Sequence, residues 1–152
     1  MYTVFLAIHN ILRWIVIILA AIALVRAYLG WFGRRDWTET DRKVGIFFAS
    51  AVDTQLLLGL ILYFFLSPVT RPIFSNFNLA MQNPETRFFG LEHILWMVMA
   101  VFLVHVGNVL SRRADLPSKS HMAAALWYTL AVVLILVAIP WTRPLFPGLG
   151  GV

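Results

Sequence analysis

The chain has 152 residues, 61% of them hydrophobic and 12% charged, with a formal net charge of +5 and no cysteine. Soluble domains are usually about 45–50% apolar and about 25% charged, so this composition excludes an ordinary soluble enzyme and points to an integral membrane protein. The absence of thiols excludes disulfides, thiolate zinc sites, cysteine-ligated iron–sulfur clusters and covalent c-type haem attachment.

Four apolar runs, roughly residues 4–29, 44–66, 88–110 and 122–141, are each long enough to cross a ~30 Å hydrocarbon core as a helix. The first has no basic stretch ahead of it, is longer than a signal-peptide core and lacks a small-residue cleavage site, so a retained helix is expected. His9 and Arg13 are four residues apart and share one face of it, which Val16, Ala20, Ala23 and Ala27 extend. Gly30 and Gly33 are read as its end. The first link, 30–43, carries Arg34, Arg35, Arg42 and Lys43, and Asp41 is the expected cap of the second helix.

Asp53 lies about two turns into the second run on a face with Ala49, Leu57 and Leu60 and no basic residue. A charge at the bilayer centre costs about 2.5–3.5 kcal/mol, so Asp53 asks for a partner, and Arg26 is the cation at compatible depth. Gln55, Gly59 and Tyr63 form a separate stripe of polar and small residues. Ser67-Pro68 stops the second helix. The middle link, 67–87, holds Pro68, Pro72 and Pro84, with a short interfacial helix expected over 73–81.

In the third run His93, Trp96, Ala100 and Gly107 share a face, and Glu92 adjoins His93. His105 points elsewhere, near Asn108, and reads as an interhelical hydrogen-bonder. The third link, 111–121, carries Arg112, Arg113 and Lys119, and His121 at its end is expected to be solvated. Pro140 and Pro144 stop the fourth helix. Trp31, Trp37, Trp96 and Trp141 fall near helix ends, where interfacial tryptophans collect.

Seven basic residues lie in the first and third links, against Arg71, Arg87 and Arg143 on the other side. The positive-inside rule then makes the first and third links cytoplasmic and both termini exoplasmic. Short links make sequential helices antiparallel neighbours, so the expected fold is a single all-α domain, a transmembrane up-down four-helix bundle in the lipid bilayer. The basic residues form no basic-aromatic patch, so no nucleic-acid partner is expected.

In that frame His9 and His93 reach similar depth on the exoplasmic side. Two neutral imidazoles on separate helices are what a bis-histidine b-type haem requires, with small residues leaving room for the macrocycle. The expected cofactor residues are His9, His93, Arg13, Glu92 and Trp96, with the two imidazoles on the haem iron. Arg13 and Arg87 are candidates for the propionates, and Glu92 for a pair with Arg13. A structural polar cluster, a quinone site or a metal site are the competing readings of the same residues. No glycine-rich phosphate loop, Gly-x-Ser-x-Gly or His-Glu-x-x-His occurs, and no nucleophile stands out.

Several short motifs also resemble those of small bacterial four-helix membrane proteins labelled cytochrome b-like. They are His9 with Leu12-Arg13-Trp14, Asp41-Arg42-Lys43, the run 55–64, Ser67-Pro68, Arg87-Phe88-Phe89, Glu92-His93 and Ala138-Ile139-Pro140-Trp141. The resemblance implies haem b, electron transfer, a multi-pass location in the bacterial cytoplasmic (inner) membrane, and ligand roles for His9 and His93. It departs at Asp53, where the group often has histidine two residues before the glutamine, and an essential ligand there would mean a lost haem. The expected function is therefore an electron-transfer subunit that passes electrons to quinone or to other membrane subunits. The alternative is a non-catalytic accessory subunit of a larger respiratory or photosynthetic complex. A proton-coupled transporter using Asp53 is a third reading, and four helices without repeats argue against it.

Overall fold

A computed structural model describes residues 1–141, so Arg143 and Pro144 lie outside the described residues. Among the described residues the chain is all-helical, and four helices are long and apolar enough to cross a membrane. The long elements are α1 (Tyr2–Phe32), α2 (Glu39–Ile61), α6 (His93–Arg113) and α7 (Pro117–Ala138). Three short helices, α3 (Arg71–Ser75), α4 (Phe77–Gln82) and α5 (Pro84–Arg87), lie between α2 and α6. α1 packs on α2 and α7, and α6 packs on the same two helices.

The ends of the elements have identifiable causes, some of them different from the expected ones. α1 runs through Gly30 to Phe32, and Gly33 caps it by donating its N–H to the Leu29 carbonyl at 3.0 Å. Gly30 is a packing residue, because a Cβ there would overlap the His121 imidazole. The N-cap of α2 is Thr38, not Asp41. Asp41 is the third helical residue and closes a capping box: Thr38 N–H donates to Asp41 Oδ2 at 2.9 Å, and Asp41 N–H to Thr38 Oγ1 at 3.3 Å.

Arg26 Nε donates to Asp41 Oδ1 at 2.8 Å, so the cation assigned to Asp53 is used here instead. Asp53 lies twelve residues further along α2, roughly 18 Å away, beyond reach of Arg26. The single helix expected over 73–81 is broken at Asn76, whose side chain accepts from Leu79 N–H at 3.1 Å and starts α4. Asn83 starts α5 in the same way, accepting from Thr86 N–H at 3.0 Å.

Two wide π turns flank this insertion. Leu62–Leu66 continues α2, with Ser67 N–H donating to Leu62 O at 2.8 Å, and Phe88–Glu92 leads into α6, with His93 N–H donating to Phe88 O. Such i→i+5 turns are rare and collect at functional sites.

The interior consists largely of small residues. Ala20, Ala23, Ala27, Ala100, Ala124, Ala125 and Ala131 are buried, whereas large side chains such as Ile18, Val25, Phe102, Leu130 and Val137 point outward. Lipid gives no hydrophobic drive between helices, so close backbone approach and interhelical hydrogen bonds supply the cohesion. Asn108 Nδ2 donates to the Gly45 carbonyl at 2.9 Å, and Tyr128 Oη donates to Asn108 Oδ1 at 3.0 Å, tying α2, α6 and α7 together. A Cβ on Gly45 would lie 2.5 Å from Asn108 Oδ1 and 2.6 Å from Tyr128 Oη. Gly45→Ala is accordingly expected to break this network and to destabilise the protein by about 1–3 kcal/mol, read from unfolding in lipid or detergent.

Candidate functional site

The other end of the helix set is hollow. A cavity of about 130 Å³ opens between α1, α2, α6 and the end of α7, roughly ten times the space one water requires. Its walls are mainly apolar, from Leu56, Leu60, Val101 and Ile135, and Val69 and Thr70 border it where the chain leaves α2. Small residues, Gly59 on α2 and Ala100 on α6, leave the space that larger side chains would occupy. The polar lining comes from His9, Asn10 and Arg13 on α1, Gln55 and Tyr63 on the α2 side, and His93 on α6.

His93 is held by a backbone carbonyl. Its Nδ1 lies 2.8 Å from the carbonyl of Ala138, the last residue of α7. Carbonyls at a helix C-terminus have no partner within the helix, so they are available to a side chain. A carbonyl only accepts, so Nδ1 carries the proton and Nε2 of the neutral ring carries the lone pair. Metal-ligating imidazoles are commonly oriented by this kind of bond. The π turn Phe88–Glu92 directly precedes His93, and Phe88 and Phe89 stand 5.9 Å from its ring, centroid to centroid.

His9 is held from α2. Gln55 Nε2 donates to the His9 carbonyl at 3.0 Å, and the imidazole lies over Gly59, where a Cβ would come within 3.3 Å of Cε1. His9 Nδ1, Gln55 Oε1 and Arg13 Nε are buried and have no hydrogen-bond partner. Arg13 itself is buried and forms no ion pair among the described residues; its guanidinium carbon lies 5.7 Å from the Trp14 ring centroid.

An unanswered buried polar group typically costs about 1–3 kcal/mol, and native structures hold few of them. Three of the four such side-chain atoms among the described residues lie around this one cavity, and the fourth is His121 Nδ1, outside its lining. Arg13 Nε offers a donor, Gln55 Oε1 an acceptor, and the imidazoles offer nitrogen lone pairs. No group of three or more His, Asp or Glu that could hold a metal ion converges among the described residues, and the imidazoles on this cavity are those of His9 and His93.

The structure thus brings His9, His93 and Arg13 to one cavity and leaves Glu92 and Trp96 outside its lining. Glu92 pairs with Arg87 at 2.9 Å instead of Arg13, because the wide turn between them sets the two side chains together. Trp96 faces outward, and Met97, four residues after His93, takes the inward position. Asp53 also faces outward, where His105 Nε2 lies 2.8 Å from its Oδ1. The position that departs from the resembling group therefore removes no side chain from this cavity. His121, expected in solvent, is fully buried against Trp37, with Nε2 3.3 Å from the Asp36 carbonyl, because Gly30 makes room for it. Gln55 and Asn10 were not among the expected site residues; the stripe Gln55, Gly59, Tyr63 was the available signal for the first of them.

No family model, curated protein or solved structure matches this chain, so its function is read from the chemistry of the cavity. If Arg13 serves a ligand and not the fold, Arg13→Met is expected to stabilise the ligand-free protein by about 1–3 kcal/mol, measured by unfolding. A lower midpoint would show that the guanidinium supports the helices.

Proposed function

We propose that this chain is a multi-pass membrane protein that holds one b-type haem between His9 and His93 and serves as an electron-transfer subunit. The single observation that carries the reading is the pair of imidazoles from separate helices on one apolar cavity, one anchored through Nδ1 and the other with a buried, unpartnered nitrogen. The donor set fits the group. A ferric or ferrous porphyrin takes two neutral imidazole nitrogens, and the apolar walls and small residues suit a flat macrocycle.

A haem supplies one-electron chemistry at a potential set by its ligands and surroundings. The protein's own contribution is to hold and to exclude. The Ala138 carbonyl fixes the His93 ring, Gly59 and Gln55 position the His9 segment, and the apolar lining limits water. Arg13 offers a positive donor to a carboxylate, the role of a propionate partner. Two imidazoles on an apolar cavity suit an electron carrier, with quinone or other membrane subunits as partners. The distribution of basic residues supports an up-down bundle with both termini exoplasmic, in a bacterial cytoplasmic membrane as the resembling proteins imply.

Purified from membranes in mild detergent, the protein is expected to carry haem and to show sharp visible bands after dithionite reduction. His9→Ala and His93→Ala should each abolish the low-spin spectrum. Gly59→Leu, which crowds the His9 ring, should lower haem occupancy at least fivefold while the helical circular dichroism stays unchanged. A colourless, stably folded wild-type protein that takes up no added haemin would overturn the proposal. The accessory-subunit reading would then stand.

A further inference from the structure

The outer face of α2 and α6 carries a group that lipid cannot answer. Asp53 is nine residues past Val44, where the apolar part of its span begins, and thirteen before Leu66, so it lies about 14 Å and about 20 Å from the two ends of that stretch. His105 on α6 meets it, with Nε2 2.8 Å from Asp53 Oδ1. Both side chains are about half exposed, 49% for His105 and 47% for Asp53. Ser50 and Thr54 beside them on α2 are exposed as well, although Thr54 Oγ1 donates back to the Ser50 carbonyl at 2.8 Å.

Ionisable residues at this depth normally face the protein interior or a water-filled path. This pair lies outside the cavity and faces away from it. Something other than hydrocarbon is therefore expected to cover it in the membrane.

We infer that this face is an interface with a second copy of the chain, with the two Asp53–His105 pairs closing on each other across a two-fold axis. The patch is complementary to itself, as an isologous contact demands. An imidazolium donates from both ring nitrogens, and a carboxylate accepts at both oxygens. With Nε2 and Oδ1 paired within one copy, Nδ1 of each His105 can donate to Oδ2 of Asp53 in the other copy. With both nitrogens of each ring carrying a proton, the result is a closed ring of four hydrogen bonds. The short side chains of Ser50 and Thr54 permit the close helix approach such a ring requires. A partner bearing only cations or only acids would leave one half of each pair unanswered, which is why a second copy is favoured over a different subunit. The inference is independent of what fills the cavity.

The native chain has no cysteine, so single-cysteine variants report contacts without background. Reconstituted at low protein-to-lipid ratio in neutral phospholipid vesicles, Ser50→Cys is expected to form at least tenfold more oxidised dimer than Leu130→Cys. Leu130 is an exposed position midway along α7, which packs on α1 and α6. Adding Asp53→Leu and His105→Leu together should lower Ser50→Cys cross-linking at least fivefold. Equal cross-linking at the two cysteine sites, or no response to the double leucine change, overturns the inference. Photobleaching of the labelled wild-type chain in the same vesicles provides a readout that needs no interface variant. Two steps per particle are expected, and single steps overturn the inference. Recovery of the α2–α6 face from native membranes cross-linked to a different subunit instead of a second copy also overturns it.

Discussion

In hydrocarbon, every polar group must be answered by the protein or by something the protein holds, and this constraint organises the molecule. The chain answers most of its polar side chains internally. Arg26 meets Asp41 inside a capping box, Arg87 meets Glu92, and Asn108 links Gly45 to Tyr128. Against that background the described residues leave four buried side-chain atoms unanswered: His121 Nδ1 in the packed half, and those of His9, Arg13 and Gln55, three residues that share one cavity.

The same economy explains why the helix set is tight at one end and hollow at the other. Around Gly45 and Gly107 the missing side chains are filled from neighbouring helices, by Asn108 and Tyr128 in one case and by Tyr128 and Trp127 in the other. Phe48 is fully buried and stands edge-on to Tyr128, 5.5 Å between centroids, completing that packed end. Over Gly59 lies only the His9 ring, and the cavity stays open between the imidazoles and the apolar walls. Small residues thus do two different things along the same helices: they draw backbones together in one half and make room in the other.

The long helices and the inward alanine stripe were legible in the sequence because both follow from periodicity: Ala20, Ala23 and Ala27 recur at helical spacing and are all buried. His9, Arg13 and His93 were legible for the same reason, since two helix faces and a depth estimate suffice to place them near one another. The partners of the charges were not. Arg26 was matched to Asp53 by depth alone, whereas the nearer Asp41, turned inward by its capping box, takes it. Trp96 was placed inward by its spacing from His93, but the inward stripe passes through Met97 and Ala100. His121 was read as solvated because it ends a polar link, and only the packing against Gly30 and Trp37 shows it to be interior. Pairing depends on which rotation each helix adopts about its own axis, and a pattern of one helix at a time does not specify that.

The wide turn at Phe88–Glu92 accommodates one residue more than ordinary α winding over the same hydrogen-bonded loop. Deleting a single residue from this stretch would restore normal winding and turn everything that follows by about 100° relative to what precedes it. His93 would then lose its line to the Ala138 carbonyl, or the aromatic segment Phe88-Phe89 would swing off its present seat. The phase between the entry loops and α6 is therefore stored in five residues, and length changes there carry a rotational consequence that substitutions do not.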